Sequence, residues 1–288
     1  MKKELDCCDS VRHKTIKRIL HPILGYCFLK KCMNCNIFFY TNPLEITEKI
    51  FQKKYVSETN EMFIIAKKMS FPPFKSREFF INYSRFSLIA KFLNLDNKNK
   101  IMEIGPGYPG MFPFFKNPKN KYYICESNKK IVELFLKDKV KSVNYSSTNR
   151  SFDLIICPNI IYYFTNIDYS LTKIKNSLAK NGLLFIDILN SNTLNQKYIE
   201  KTDQINIFSK KSIEYILIKN GFKILSSAYE HSCPRSKKLF ENQNLIEKIL
   251  NKIGYMSYKK IIELLISSNK NKYTKPNAPY LHIICKKN

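Results

Sequence analysis

From Lys100 onward, uninterrupted apolar runs alternate with stretches whose apolar positions recur at helical spacing. IMEI (101–104), YYIC (122–125), LIIC (154–157) and LLFIDIL (183–189) are short and nearly continuous, as in strands covered on both faces. Between them NKKIVELFLKD and DYSLTKIKNSLAKNG have the period of amphipathic helices, the second with Gly182 placed to cap it. SKKSIEYILIKNGFKILSSA repeats the theme, with Ser209 as N-cap, Gly221 as stop and a strand from Phe222. YLHIICKK closes the chain as a last strand. Strand and helix alternating at this pitch predict βαβ units in a doubly wound α/β sheet.

The flanking segments have other textures. Residues 44–98 read as a helical cap, with one helix near ITEKIFQKKY and one over REFFINYSRFSLIAKFLNL. In the latter the apolar positions Phe79, Phe80, Tyr83, Phe86, Leu88, Ile89 and Leu93 fit helical spacing. Residues 229–277 form a lysine- and asparagine-rich insertion with helical runs LIEKILNKI and KKIIELLIS. Residues 1–43 hold five of the nine cysteines. The resulting division is 1–43 leader, 44–98 cap, 99–228 with 278–288 main domain, and 229–277 insertion.

Charge changes this picture little. The net charge is +26, but 43 of the 49 basic residues are lysine and the excess is spread along the chain. Bidentate phosphate recognition favours arginine, so composition bias accounts for the charge better than a nucleic-acid partner does. No run approaches the length of a membrane-spanning helix, and no apolar stretch follows the basic start. The expectation is a cytoplasmic protein with reduced thiols and unknown oligomeric state.

The sharpest signal is IMEIGPGYPGMF (101–112). A strand runs into Gly105, Gly107 and Gly110, where missing side chains allow backbone to approach a bound group. Glu126 follows at the end of the next strand, a spacing that also suits a nicotinamide dinucleotide fingerprint. Two features favour another nucleoside cofactor. Glu103 places a carboxylate where an ammonium group would be welcome, and Pro109 and Pro113 remove N–H donors that a pyrophosphate would use.

EIGPG, the acid in YYICES, FDLIICPNIIYYFTNIDYSLTKIKNSLAKNGLLFIDI and the closing YLHIICKK together resemble class I S-adenosylmethionine-dependent methyltransferases. The resemblance implies a Rossmann-like seven-stranded sheet whose last strand inserts antiparallel. It implies S-adenosylmethionine as cofactor, lined by Gly105, Pro106 and Gly107, with Glu103 near the methionine ammonium. Glu126 would accept from the ribose hydroxyls beside Ser127, and Cys157 to Asn159 would form a wall after the fourth strand. Three departures stand out: position 109 is proline where a third glycine is usual, the adenine-binding aspartate is missing with Ser146 or Ser147 as substitutes, and Tyr163 replaces a frequent histidine.

The leader resembles the zinc-binding segment that precedes some methyltransferases of sugar, polysaccharide and natural-product pathways. Cys32 and Cys35 in KCMNCN form one C-x-x-C knuckle. The expected partners are Cys7 and Cys8, adjacent rather than two apart, with Cys27 and His13 in reserve. Cys125, Cys157, Cys233 and Cys285 read as core residues. Methyl transfer from a sulfonium needs positioning more than acid–base groups, and no catalytic residue is assigned. Tyr162 and Tyr163 suit an aromatic wall, and the histidines fall outside the expected pocket wall, His282 among them. SFPPF (70–74) imitates an amino-methylating DNA signature but leads with Phe71, which offers the amine no polar group. The expected acceptor is a small molecule, a sugar or polysaccharide precursor. The alternatives are an RNA methyltransferase and a non-catalytic binding protein on the same fold.

Overall fold

The computed structural model describes residues 12–22, 24–41, 77–107, 110–144, 151–230 and 280–288. A leader sheet comes first, built from β1 (His13–His21), β2 (Gly25–Cys32) and β3 (Phe38–Thr41), all antiparallel. α1 (Arg77–Ile89) then leads into the main domain. Its elements run β4 (Lys100–Ile104), α2 (Phe112–Phe115), β5 (Lys121–Cys125), α3 (Lys129–Lys137), β6 (Lys141–Ser142) and β7 (Phe152–Pro158). They continue with α4 (Ile167–Ser177), β8 (Leu178–Leu189), α5 (Gln196–Lys201), β9 (Asn206–Ile207), α6 (Lys210–Lys219), β10 (Phe222–Glu230) and β11 (Tyr280–Lys287).

The main sheet has seven strands in the order β10-β11-β8-β7-β4-β5-β6. β6, β5, β4, β7 and β8 are parallel, and β11 lies antiparallel between β8 and β10. This is the expected doubly wound arrangement with an inserted antiparallel last strand. Alternation along the strands divides the core between two faces. One face packs Ile101, Leu154, Ile156, Phe185 and Ile284 with Phe86 and Ile89 of α1, the α2 phenylalanines and Phe135 of α3. The other packs Met102, Ile155, Leu184, Ile186 and Ile283 with Leu171 of α4 and Ile213 of α6.

Local chemistry sets the helix boundaries. Asn128, Asn166 and Ser209 each accept a main-chain N–H at a helix start, a cap worth about 1 kcal/mol. Ser209 forms the full reciprocal box with Ser212, and Gly221 takes φ +78° just beyond α6. α1 stops at Ile89, earlier than its apolar pattern suggested, and Asn94 and Asn99 hold the following turns with their side chains. Gly182 does not cap α4. The helix ends at Ser177 and Gly182 lies inside β8, where a Cβ would come within 2.6 Å of the Phe152 carbonyl oxygen. The β7–β8 register shifts there, so this glycine permits a close backbone approach at a bulge.

The leader is part of the body of the protein. β3 pairs with β9, a two-residue strand between α5 and α6, which extends the leader sheet to four strands. Cys32, Cys35, Ile37 and Phe39 are buried in the same cluster as Ile161, Phe208 and Ile213. Ser209 Oγ donates to the Cys35 carbonyl, and Lys211 Nζ lies 3.1 Å from Asn34 Oδ1. Residues 42–76, most of the expected cap, and 231–279, most of the insertion, lie outside the described residues, as do Cys7 and Cys8.

Candidate functional site

Two parallel strands leave the centre of the sheet in opposite directions of connection. β4 continues through β5 to β6, whereas β7 continues to β8 on the other side. The carboxyl ends of β4 and β7 therefore flank the point where strand order reverses, where open α/β sheets bind ligands. Gly105 to Gly107, Glu126 and Cys157 to Asn159 lie around this point, at the ends of β4, β5 and β7.

Gly105 and Gly107 have φ near +60°, a conformation that suits glycine. Their surroundings differ. A Cβ on Gly105 would stand 2.8 Å from Ile160 Cδ1, so the loop after β4 touches the loop after β7 here. A Cβ on Gly107 would meet nothing within 4 Å among the described residues. Pro106, between them, is half-buried. Gly107 thus presents bare backbone to open space, a cradle that a side chain would fill.

Glu126 follows β5 directly. Its Oε1 accepts the Asn128 N–H at 2.9 Å, and Ser127 Oγ lies 3.5 Å away. Burial pushes its carboxyl up from the usual range, opposed by the N–H groups of Asn128, Ser127 and Gly107. The structure thus brings Glu126 and Gly107 together across the mouth of the crevice. Ser127 itself is exposed.

Glu103 lies near the carboxyl end of β4. It is fully buried beneath the loop, where its oxygens accept the Met111 N–H at 2.9 and 3.2 Å and the Tyr122 hydroxyl at 2.5 Å. A Cβ on Gly110 would stand 2.6 Å from Glu103 Oε2, so Gly110 makes room for this carboxylate. Burial raises its pKa to about 7, partly offset by the Tyr122 and Met111 hydrogen bonds and by the Arg85 charge. Its hydrogen bonds are with Met111 of the loop that it shapes and with Tyr122 of β5.

Cys157 is buried at the end of β7, and burial pushes its thiol well above the usual range, which removes it as a nucleophile. Asn159 takes φ +53°, gives its N–H to the Asp187 carbonyl at 3.0 Å and accepts the Tyr162 hydroxyl at 2.5 Å. The Tyr163 hydroxyl donates to Asp203 at 3.0 Å. Tyr108, Pro109, Ser146 and Ser147 lie outside the described residues.

Several site residues were missed by sequence reasoning. Asp187 lies within the apolar run of β8, fully buried, and Arg85 of α1 donates to it through Nε at 2.6 Å and through Nη2. Arg85 Nη1 donates to Asn82 Oδ1 at 2.6 Å, and Asn82 Nδ2 to the Gly110 carbonyl at 3.0 Å. His282 lies beside the same carboxylate. Because β11 inserts beside β8, it stands opposite Asp187, with Nε2 3.5 Å from Oδ1. Burial lowers its pKa to about 4, against the pull of Asp187, so the ring is neutral at pH 7. An aspartate inside an apolar run, and an arginine in a lysine-dominated chain on an apolar helix face, were the available signals.

Among the described residues no group of three His, Cys, Asp or Glu is placed to hold a metal ion. No helix of the described residues is long and apolar enough to cross a membrane.

Comparison with known proteins agrees with this geometry. No curated protein matches the sequence. Similar solved structures include the Burkholderia thailandensis 1,6-didemethyltoxoflavin-N1-methyltransferase with bound 1,6-didemethyltoxoflavin and S-adenosylhomocysteine. It is 12% identical at TM-score 0.53, covering 89% of this chain and 96% of that one. Magnesium protoporphyrin IX methyltransferase from Synechocystis with bound S-adenosylmethionine is 11% identical at TM-score 0.52, covering 86% and 100%. A chain from the Haloferax volcanii complex of the Trm112 methyltransferase activator with a methyltransferase is 10% identical at TM-score 0.56, covering 80% and 96%. A family profile described as a methyltransferase domain matches residues 77–227, from the first residue of α1 into β10, a little over half of the chain. With the strand order and glycine loop that such a domain requires, the chain belongs to the methyltransferase-domain family and is a class I S-adenosylmethionine-dependent methyltransferase.

Proposed function

We propose that this enzyme methylates a small-molecule acceptor, with a sugar or polysaccharide precursor as the class suggested by its leader. The observation that carries cofactor placement is the pairing of Gly107 and Glu126 at the switch point. Bare backbone at Gly107 leaves room for a ligand, and the carboxylate beside it is a ready acceptor for ribose hydroxyls. Gly105 and Pro106 continue the cradle, Ser127 borders Glu126, and Cys157 to Asn159 form the opposite wall. S-adenosylmethionine, when bound, supplies a methyl group on a positively charged sulfur that is already a good leaving group. The protein's work is then to align the acceptor and exclude water. Asn159, held by Asp187 and Tyr162, is the polar group at the wall with its orientation already set.

The small-molecule reading is supported by the Burkholderia structure, whose named ligand on this fold is a small heterocycle. A sugar acceptor rests on the leader's resemblance alone. Incubation with methyl-labelled cofactor, sugar nucleotides and total RNA separates the readings. Label in a sugar nucleotide supports the proposal, and label confined to RNA overturns it.

A zinc ion held by Cys7, Cys8, Cys32 and Cys35 also belongs to this proposal. Cys32 and Cys35 sit at the ends of a tight turn closed by the Asn36 N–H on the Cys32 carbonyl, with Asn36 at φ +61°. Two cysteines on such a turn fit half of a tetrahedral site. Metal analysis of natively purified protein, with and without Cys32→Ser, tests it: one zinc per chain, lost in the variant, is expected, and a metal-free wild type contradicts it.

A further inference from the structure

We propose that Arg85 is a positioning residue: from beneath the sheet's carboxyl edge it fixes both loops that bound the crevice. The inference rests on reading that crevice as the cofactor site, and it names a residue outside the glycine loop that sets the loop's shape.

α1 packs on the face that carries Ile156 and Phe185, and Arg85 is 7% exposed there. A buried guanidinium must place its donors well, since an unmatched one is costly. Arg85 divides them between two partners. Nε and Nη2 hold Asp187 Oδ2, and Nη1 holds Asn82 Oδ1. The second contact orients an amide. Asn82 stands three residues before Arg85 on the same helix face. With Arg85 donating to Oδ1, the amide must turn Nδ2 away, and Nδ2 donates to the Gly110 carbonyl. A flipped amide would set donor against donor at Arg85 and acceptor against acceptor at Gly110. Arg85 therefore decides how Asn82 grips the loop.

The first contact reaches the other wall. Asp187 is held at its side chain by Arg85, and its carbonyl receives the Asn159 N–H at 3.0 Å. Asn159 stands at φ +53°, a conformation that costs a non-glycine residue energy and persists where its surroundings impose it. One guanidinium thus ties α1, the loop from Gly105 to Met111 and the turn after β7. Glu103 closes the frame from below by taking the Met111 N–H. A buried ion pair is seldom needed for stability alone, because apolar residues of similar volume serve as well or better. Its directionality is what the apolar pair could not reproduce.

That difference supplies the test. The double variant Arg85→Met, Asp187→Leu replaces the pair with apolar side chains, Asn82→Ala removes the grip on Gly110 and the acceptor of Arg85 Nη1 while keeping the Arg85–Asp187 contact, and Arg85→Lys keeps the charge with one donor arm. Amide hydrogen exchange is read on peptides spanning 105–111 and 158–161 without cofactor, and S-adenosylhomocysteine affinity by calorimetry. The double variant should melt close to wild type, exchange both peptides about tenfold faster and bind about tenfold more weakly. Asn82→Ala should speed exchange of 105–111 and leave 158–161 unchanged, and Arg85→Lys should recover part of the loss. Wild-type exchange in the double variant, or in Asn82→Ala if the double variant does not fold, overturns the proposal. Failure of wild type to bind S-adenosylhomocysteine would instead count against the cofactor reading, while the exchange data still decide the role of Arg85.

Discussion

Gly105 and Ile160 meet where the two halves of the domain come together: the side chain that Gly105 lacks would overlap Ile160 Cδ1 at 2.8 Å. The same glycine has φ +61° and donates its N–H to the Cys125 carbonyl at 2.8 Å. Gly107, two residues on, has the same backbone conformation, and a Cβ there would meet none of the described residues within 4 Å. The two positions therefore separate packing from ligand space within a single loop.

Substituting them should show that separation. Gly105→Ala combines left-handed backbone strain with overlap and should cost about 2–3 kcal/mol, partly restored by Ile160→Ala. Gly107→Ala should cost about 1 kcal/mol from backbone strain alone, yet weaken S-adenosylhomocysteine binding about tenfold or more. Denaturant unfolding and calorimetry on the same samples check both. Equal destabilisation with equal binding would refute the distinction.

Glu103 should make the protein less stable as pH rises. Its folded-state pKa of about 7 lies above the ordinary carboxyl value of 4.5, so between these the folded state holds a proton that the unfolded state has lost. Stability from this group is complete below about pH 4.5 and is lost as pH climbs through 7, on the order of 3 kcal/mol in all. Glu103→Gln keeps an acceptor for the Met111 N–H without the charge. Its stability relative to wild type should rise between pH 4.5 and 7 and then level off, as read by urea unfolding.

His282 has the opposite sign. Its folded-state pKa of about 4 lies below 6.5, so its contribution is complete above pH 6.5 and lost as pH falls through 4. Replacing it with Gln should flatten the acid side of the stability profile. In wild type the two groups oppose each other between about pH 4.5 and 6.5, which is why single variants are needed to see either.

Ser209 joins two parts of the protein. Its hydroxyl caps α6 and donates to the Cys35 carbonyl in the leader. Ser209→Ala should cost about 1–2 kcal/mol and increase protease cleavage around residues 33–36 before global unfolding. Thermal melting and limited proteolysis read the two effects, and a variant that melts like wild type would show that the contact contributes nothing.

The sheet was legible because its strands are covered on both faces, so IMEI, LIIC and LLFIDIL announce themselves without partners. Ser209 and Gly221 were legible because capping is local chemistry. Gly182 misled because glycine after an amphipathic run resembles a cap, and its real partner, the Phe152 carbonyl, lies 30 residues away in sequence. β9 is two residues long and exists through its pairing with β3, a tertiary fact with no local signal. In the site, Gly105, Gly107 and Glu126 followed from spacing along adjacent strands. Asn82, Arg85, Asp187 and His282 did not, because α1, β8 and β11 are far apart in sequence and meet only in the folded domain. Glu103 was found by position, but its partners Met111 and Tyr122 come from the loop fold and the neighbouring strand.

We propose that the pairing of Gly107 with Glu126 at the switch point holds S-adenosylmethionine. Calorimetric titration of folded wild type and Glu126→Ala with S-adenosylhomocysteine tests it most directly. Saturable one-site binding by wild type, weakened about a hundredfold in the variant by loss of a doubly engaged carboxylate, is the predicted result. No binding by wild type at millimolar ligand, or equal binding by both proteins, would contradict it.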